Sequence, residues 1–381
     1  MEFKFNEDQQ MIHDLAKNFA EKYVADRVDE IERERTVPQD IYDKMAETGL
    51  FGMVFPEEYG GSGLGYECMV IAFEQMAKVS ASANIGLSTT ILFMESILIF
   101  GTETQKQKYI PAGIQGKYRS SFAFTEPGTG SDPKQLTTTY RIENGHYVLN
   151  GTKRFITSAG YPGPICVFAK NSETGEVTGF LFDKFCEGYS LSTPWDTIGF
   201  RGSPVYDVFL DNVKVPVDDE NILGGIGNGF NTLIGTVAYS KMGLAATTLG
   251  TLAAAYDAAV KYAKEKIHRD KPISKFQAIQ LKIAQIAAIY ESCRLLVYQL
   301  GDQANDRSDP QRFISSVGMV KSHVSDMVVQ GNLLAMAVLG PYGVTAEYHV
   351  ERYLRDSLIG PIVEGVSDIQ RILAARDILK P

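Results

Sequence analysis

Hydrophobic positions change their spacing twice along the chain. From Asn6 to about Gly116 they recur every three or four residues, as at Ile12, Leu15, Phe19 and Tyr23, which predicts helices with one buried stripe. From Ser120 to about Gly225 the runs are short and β-rich. Tyr147-Val148-Leu149-Asn150-Gly151, Ile165-Cys166-Val167-Phe168-Ala169 and Gly179-Phe180-Leu181-Phe182 are separated by Asn, Gly and Pro, which predicts a compact antiparallel β domain. Beyond Gly229 helical spacing returns, over 245–266, 276–304, 312–339 and a last segment from Ser367, enough for a four-helix bundle. The expected fold class is α+β, with a helical domain at 1–118, a β domain at 119–228 and a helical bundle at 229–381.

Composition narrows the function more by exclusion than by indication. The 381 residues suffice for two or three domains with real interiors, and 44% hydrophobic with 22% charged residues is ordinary for a soluble protein. A net charge of −9 without a basic stripe argues against a nucleic-acid partner, although a local pocket can still favour an anion. The four cysteines (Cys68, Cys166, Cys186, Cys293) and five histidines are scattered, so neither a disulfide framework nor a metal site is expected. Asn6-Glu7-Asp8-Gln9 reads as a helix cap rather than the end of a signal peptide. The longest apolar stretch, 91–100, is broken by Glu95 and too short for a bilayer, so no membrane span is expected and a reducing cytoplasm is the predicted compartment. Two glycine-rich stretches, 60–65 and 224–229, lack the spacing and context of a dinucleotide fingerprint.

Candidate chemistry begins near the C-terminus, in Pro361-Ile362-Val363-Glu364-Gly365-Val366-Ser367-Asp368-Ile369-Gln370-Arg371. A carboxylate among Ile362, Val363 and Val366 is poorly solvated, its pKa should rise, and it then suits a general base near neutral pH. The plain alternative is a glutamate in the loop before a final helix. Far upstream lies Phe122-Ala123-Phe124-Thr125-Glu126-Pro127-Gly128-Thr129-Gly130-Ser131-Asp132, followed by Gly151-Thr152-Lys153-Arg154-Phe155-Ile156-Thr157. The first reads as a strand entering a turn whose free N–H groups and hydroxyls suit a bound cofactor. By itself it is only a turn.

Together these segments resemble the acyl-CoA dehydrogenase family of flavoproteins. Pro56-Glu57-Glu58-Tyr59-Gly60-Gly61 and Glu351-Arg352-Tyr353-Leu354-Arg355-Asp356 match it in the same order, so the resemblance runs from Phe5 to Leu379. It implies a helical N-terminal domain, a middle β-barrel and a C-terminal four-helix bundle. It also implies FAD, and an acyl-CoA that loses its α-proton to a glutamate and its β-hydrogen as hydride to the flavin. An electron-transfer flavoprotein would take the electrons, and the assembly would be a homotetramer. Glu364 falls at the position of the base; the alternative position on an earlier helix is Ser240, which cannot serve.

Phe122, Phe124, Thr125, Gly130 and Ser131 match the flavin loop, with Ser131 also reaching the thioester. Phe155, Ile156 and Thr157 match the segment flanking the flavin ring, while Ala337, Gly340, Val366 and Asp368 fall at further cofactor positions. Thr89 and Thr90, with Ser88 and Met94, fall at the base of the acyl pocket, where no Arg awaits a terminal carboxylate. Lys241, Gly365 and Arg376 fall at substrate positions. The simpler readings are a strand core residue for Phe155 and a solvated charge for Arg376.

Departures from the family cluster on cofactor and CoA grip. The inter-subunit Arg-x-Gln-Phe-Gly run is Lys266-Ile267-His268-Arg269-Asp270, and the Gln-x-x-Gly-Gly loop is Ala337-Val338-Leu339-Gly340-Pro341. The CoA helix carries Ala238 and Lys241 where Asp and Arg are usual, and the Thr after Glu-Gly is Val366. Three readings remain open: a flavin-dependent acyl-CoA dehydrogenase, the same chemistry on a carrier-protein-bound acyl group, or a non-catalytic partner subunit of a related dehydrogenase.

Overall fold

The computed structural model describes residues 4–132, 135–306, 308 and 310–379. Six helices form the N-terminal part: α1 (Glu7–Phe19), α2 (Val28–Glu34), α3 (Gln39–Glu47), α4 (Tyr66–Val79), α5 (Ala81–Phe100) and α6 (Glu103–Ile114). Asn6 caps α1 in a capping box with Gln9, accepting from the Gln9 N–H at 2.8 Å, and the α1 stripe buries Ile12, Ala16 and Phe19. Helices α4 and α5 are nearly contiguous, separated by Ser80, whose hydroxyl accepts from Ala83 N–H. By length and composition α5 and the stretch Pro310–Val344 are each apolar enough to cross a membrane. For α5 the reason lies in packing, since it runs between α4, α6 and the later bundle and is covered on several sides.

The middle part is one sheet of eight strands: β1 (Ser121–Ala123), β2 (Thr139–Glu143), β3 (His146–Thr157), β4 (Pro164–Asn171), β5 (Val177–Asp183), β6 (Tyr189–Leu191), β7 (Val205–Pro216) and β8 (Ile222–Leu223). The order is β6-β7-β3-β2-β4-β5-β8, with β1 beside β4. It is not wholly antiparallel as the strand pattern suggested: β1 and β2 both pair with β4 in parallel. Those pairings join segments distant in sequence, and the alternation of apolar residues carries no information about direction.

In the C-terminal part α7 (Gly229–Glu265), α8 (Gln277–Asn305), α9 (Pro310–Leu339) and α11 (Ser367–Ile378) form the bundle, with α10 (Val350–Ser357) leading toward Glu364. Helix α7 starts at Gly229, well before the expected 245, because Thr232, Leu233 and Thr236 continue its buried face. A small hairpin, β9 (Ile267–His268) with β10 (Lys271–Pro272), joins α7 to α8, and Arg269 and Asp270 take positive φ at its turn. Buried Glu74 on α4 accepts hydrogen bonds from Tyr290 (2.5 Å) and Tyr298 (2.6 Å) on α8, tying the N-terminal helices to the bundle. The 198–202 segment before β7 is pinned from both sides. Phe200 N–H donates to Asp356 at 2.7 Å, Gly202 N–H donates to Ser82 at 3.1 Å, and Arg355 donates to the Ile198 carbonyl.

Candidate active site

Glu364 sits in the loop between α10 and α11 in the left-handed region, φ +55°, followed by Gly365 at +86°. A non-glycine residue held there costs about 1–3 kcal/mol and persists only where its surroundings dictate it. Two contacts do so. Buried Lys321 on α9 donates from Nζ to the Gly365 carbonyl at 2.7 Å, and the Glu364 side chain is hydrogen-bonded to Ser240 on α7. Ile362 and Val363 are largely exposed, so the local apolar run is not what desolvates the carboxyl; α7 and α9 are. Burial raises the Glu364 pKa above the ordinary carboxylate value, while the Ser240 hydrogen bond and the Lys241 and Lys321 ammoniums pull it back in part. Burial also lowers both lysines, Lys321 to about 8, against the stabilising carboxylate. A buried carboxyl between two cations that burial also disfavours is the kind of perturbed cluster in which functional acids and bases are found.

Ser240 also borders a cleft between α4, α5 and α7. Helix α5 contributes Ser88, Ile91, Leu92 and Glu95, one face at i, i+3, i+4 and i+7. Tyr66, Phe73 and Tyr239 face them across the cleft. Thr89 and Thr90 are placed elsewhere: the Thr89 hydroxyl donates to the Ile85 carbonyl, and buried Thr90 meets the Tyr42 hydroxyl. Met94 is buried toward Gly113. One residue of helical rotation, 100°, separates these faces.

The upstream motifs come together in the sheet. Arg154 N–H on β3 donates to the Thr125 carbonyl at 2.7 Å, and Ser121 on β1 donates to the Thr157 carbonyl at 2.8 Å. The loop is anchored by a fully buried pair, Lys153 with Glu126 at 2.8 Å. Burial works to raise the Glu126 pKa, but Lys153 with hydrogen bonds from Thr137 and Thr138 prevails, leaving it about 2. Phe122 and Phe124 pack their rings on Phe168, and Ile156 is buried in the sheet core. At Phe155 the β3–β7 register slips, φ is +58°, and the ring stands 52% exposed against Trp195, centroids 5.3 Å apart. Gly130 and Ser131 are exposed on the neighbouring loop, where a Cβ on Gly128 or Gly130 would meet nothing within 4 Å.

Models of the N-terminal, middle and C-terminal domains of acyl-CoA dehydrogenase match residues 6–117, 121–213 and 227–379. The chain belongs to the acyl-CoA dehydrogenase family. These are FAD-dependent oxidoreductases acting on CH–CH groups. The chain is 37% identical over 382 residues to the 3-(aryl)acrylate reductase of Clostridium sporogenes, covering 99% of this chain and 100% of that protein. It is 36% identical over 381 residues to the CarC subunit of the caffeyl-CoA reductase–Etf complex of Acetobacterium woodii, covering 99% of each. The butyryl-CoA dehydrogenase structure from Megasphaera elsdenii superposes with a TM-score of 0.94 at 32% identity over the whole of both chains.

The residues present fit the family's flavin. An apolar ring more than half exposed and held at a strained φ, beside an open loop of Gly, Thr and Ser, suits a planar heterocycle with polar edges. The remaining candidates sit on the C-terminal helices and their loops. Val366 precedes α11 and is half-buried, Asp368 pairs with Arg371 at 2.9 Å, and Arg376 is exposed on the last turn of α11. Ala337 and Gly340 are exposed at the far end of α9, where Tyr342 and Tyr348 pack on Tyr262. Lys321, Glu95 and Trp195 were not singled out by sequence reasoning. Lys321 had a signal: it interrupts the buried stripe Val317, Val320, Val324, Val328, where a cation needs a reason.

Proposed function

We infer that this protein interconverts an acyl-CoA and its 2,3-enoyl thioester, with Glu364 moving the proton at the α-carbon. The observation that carries this reading is the Glu364 carboxyl, desolvated, flanked by Lys241 and Lys321 and hydrogen-bonded to Ser240, which itself borders the cleft between α4, α5 and α7. Lys241 and Lys321 limit the rise in its pKa and so favour the carboxylate form. Lys321 fixes the loop through the Gly365 carbonyl, and the Glu364 side chain reaches Ser240 on α7. FAD, when bound, would supply the two-electron chemistry at the β-carbon, and Phe155, Ile156 and Thr157 with Thr125, Gly130 and Ser131 are the residues that would hold it.

A second reading runs the same site toward reduction of the enoyl thioester. It is favoured because two full-length relatives at 36–37% identity are named as reductases. The Etf complex named for one of them supports an electron-transfer flavoprotein as partner. Exposed Leu281, Leu295, Met319 and Leu333 on the bundle helices support association into a homotetramer. Four free cysteines suit a reducing cytoplasm. The test is anaerobic: purified yellow protein is mixed with an acyl-CoA, and dithionite-reduced protein with an enoyl-CoA. Bleaching by the first or recolouring by the second is expected; a flavin inert to both would overturn the assignment.

A further inference from the structure

Asp207 on β7 is a buried carboxylate that proton transfer at Glu364 does not use. It is 5% exposed and sits opposite the second register break of β3, between Lys153 and Ile156. Resting on the reading of Phe155–Thr157 as the flavin platform, we propose that Asp207 is its positioning residue. It fixes the bulge that turns Phe155 outward and sets the Trp195 ring beside it, so that both rings are in place before flavin binds.

The ladder shows why the bulge needs a carboxylate. Lys153 pairs with Val208 and Ile156 with Tyr206, so Arg154 and Phe155 share the single position opposite Asp207. Strict alternation from buried Lys153 would turn Phe155 inward and Ile156 outward, and the extra residue reverses both. It also leaves two backbone donors without a strand partner. Arg154 N–H donates to the Thr125 carbonyl at 2.7 Å, and Phe155 N–H donates to the Asp207 carboxylate. The same carboxylate accepts from the Arg154 guanidinium at 2.8 and 3.1 Å and from the Trp195 indole N–H at 3.0 Å. Burial works to raise the Asp207 pKa, yet the bonds from Arg154 and Trp195 hold it below its ordinary value, so both oxygens remain acceptors near neutral pH. A phenylalanine at φ +58° persists only where its surroundings impose it. Trp195 is tied a second time, its backbone N–H donating to the Val205 carbonyl at 2.9 Å, and the Arg154 guanidinium lies 5.4 Å from its ring centroid. The indole thereby stands 5.3 Å from the Phe155 ring. Rings fixed in advance need little further ordering when a ligand arrives, and the saving appears as affinity.

The test is the dissociation constant of FAD, titrated into the full-length protein after flavin removal. Asp207→Asn keeps the shape but turns an amide N–H2 toward donors, and should weaken FAD binding about tenfold or more. If Asp207 acts through Phe155, that loss should shrink to less than about twofold in the Phe155→Ala background. A residue that merely stabilised the sheet would give losses that multiply. Trp195→Leu, at a half-exposed site outside the sheet, guards against a misfolded Asn variant and should show the same coupling. Losses that multiply in both double variants, or affinity unchanged in both single ones, would overturn the proposal. If Phe155→Ala weakens FAD binding while Asp207→Asn and Trp195→Leu do not, the proposal fails and the flavin platform stands. If none of the three alters FAD binding, the platform reading falls with it, and the assignment of Glu364, which rests on flavin bleaching, is untouched.

Discussion

A carboxyl group works as a base only to the extent that it is ionised, and at Glu364 burial and two lysines contest that ionisation. Replacing it by Gln keeps the shape and removes the proton affinity, so Glu364→Gln should retain flavin and lose about 10²–10⁴ in the rate of reduction by acyl-CoA. Stopped-flow bleaching checks this, and an unchanged rate would dismiss Glu364 as the base. Lys321→Met makes a finer prediction. The folded Glu364 pKa is already raised, so the rate should increase with pH as the carboxylate forms. Removing a neighbouring cation favours the neutral acid further, and the acid limb should move to higher pH. A pH–rate profile that stays in place would show that Lys321 holds the backbone through Gly365 without tuning the acid.

Elements decide which side chains are available to a ligand. The register slip in β3 turns Phe155 outward while Ile156 stays in the core, and the buried Lys153–Glu126 pair ties β3 to the neighbouring loop. Because the Phe155 ring is more than half exposed, Phe155→Ala should change stability by less than about 1 kcal/mol. It should nonetheless weaken flavin retention, read as the flavin-to-protein ratio after dialysis beside an unchanged melting temperature. A full flavin complement would place the ring away from the cofactor. Glu126 has the opposite balance. Its depressed pKa means its stabilisation is present above about pH 4.5 and is lost as pH falls toward 2. Glu126→Gln strands a buried lysine and should cost about 3–5 kcal/mol, measured by urea denaturation at pH 7.

Over the whole molecule, two altered segments converge. The hairpin at 267–272 and the turn at 340–348 meet at one end of the bundle, where Lys266 stands over the Tyr342 ring at 5.3 Å. Ile267, Val344 and Tyr348 are exposed there, an apolar surface of the kind that associates. Family resemblance assigns this end to the grip on a neighbouring subunit's FAD, and here Ala337 and Pro341 remove donors from it. With each charge-assisted hydrogen bond worth about 1.5–3 kcal/mol, the chain expressed alone should elute as an oligomer and lose flavin on dialysis. Gel filtration with flavin quantification decides; a homotetramer keeping one FAD per chain would show that other residues supply the grip.

The sequence alone determined the helical–β–helical order, because apolar periodicity is local, and it drew attention to Glu364 and to the 122–132 and 151–157 segments, because their residue types and order are distinctive. It did not determine what surrounds them. Ile362 and Val363 beside Glu364 are exposed; Ser240, Lys241 and Lys321, distant in sequence, set its environment. Helix α5 read as an apolar run, and only its rotation against α4 and α7 turns Ser88 and Glu95 into the cleft and Thr90 and Met94 away. The parallel pairing of β1 and β2 with β4 was hidden for the same reason. Burial, side-chain facing and strand direction depend on contacts between residues far apart in the chain, and those exist only once the chain has folded.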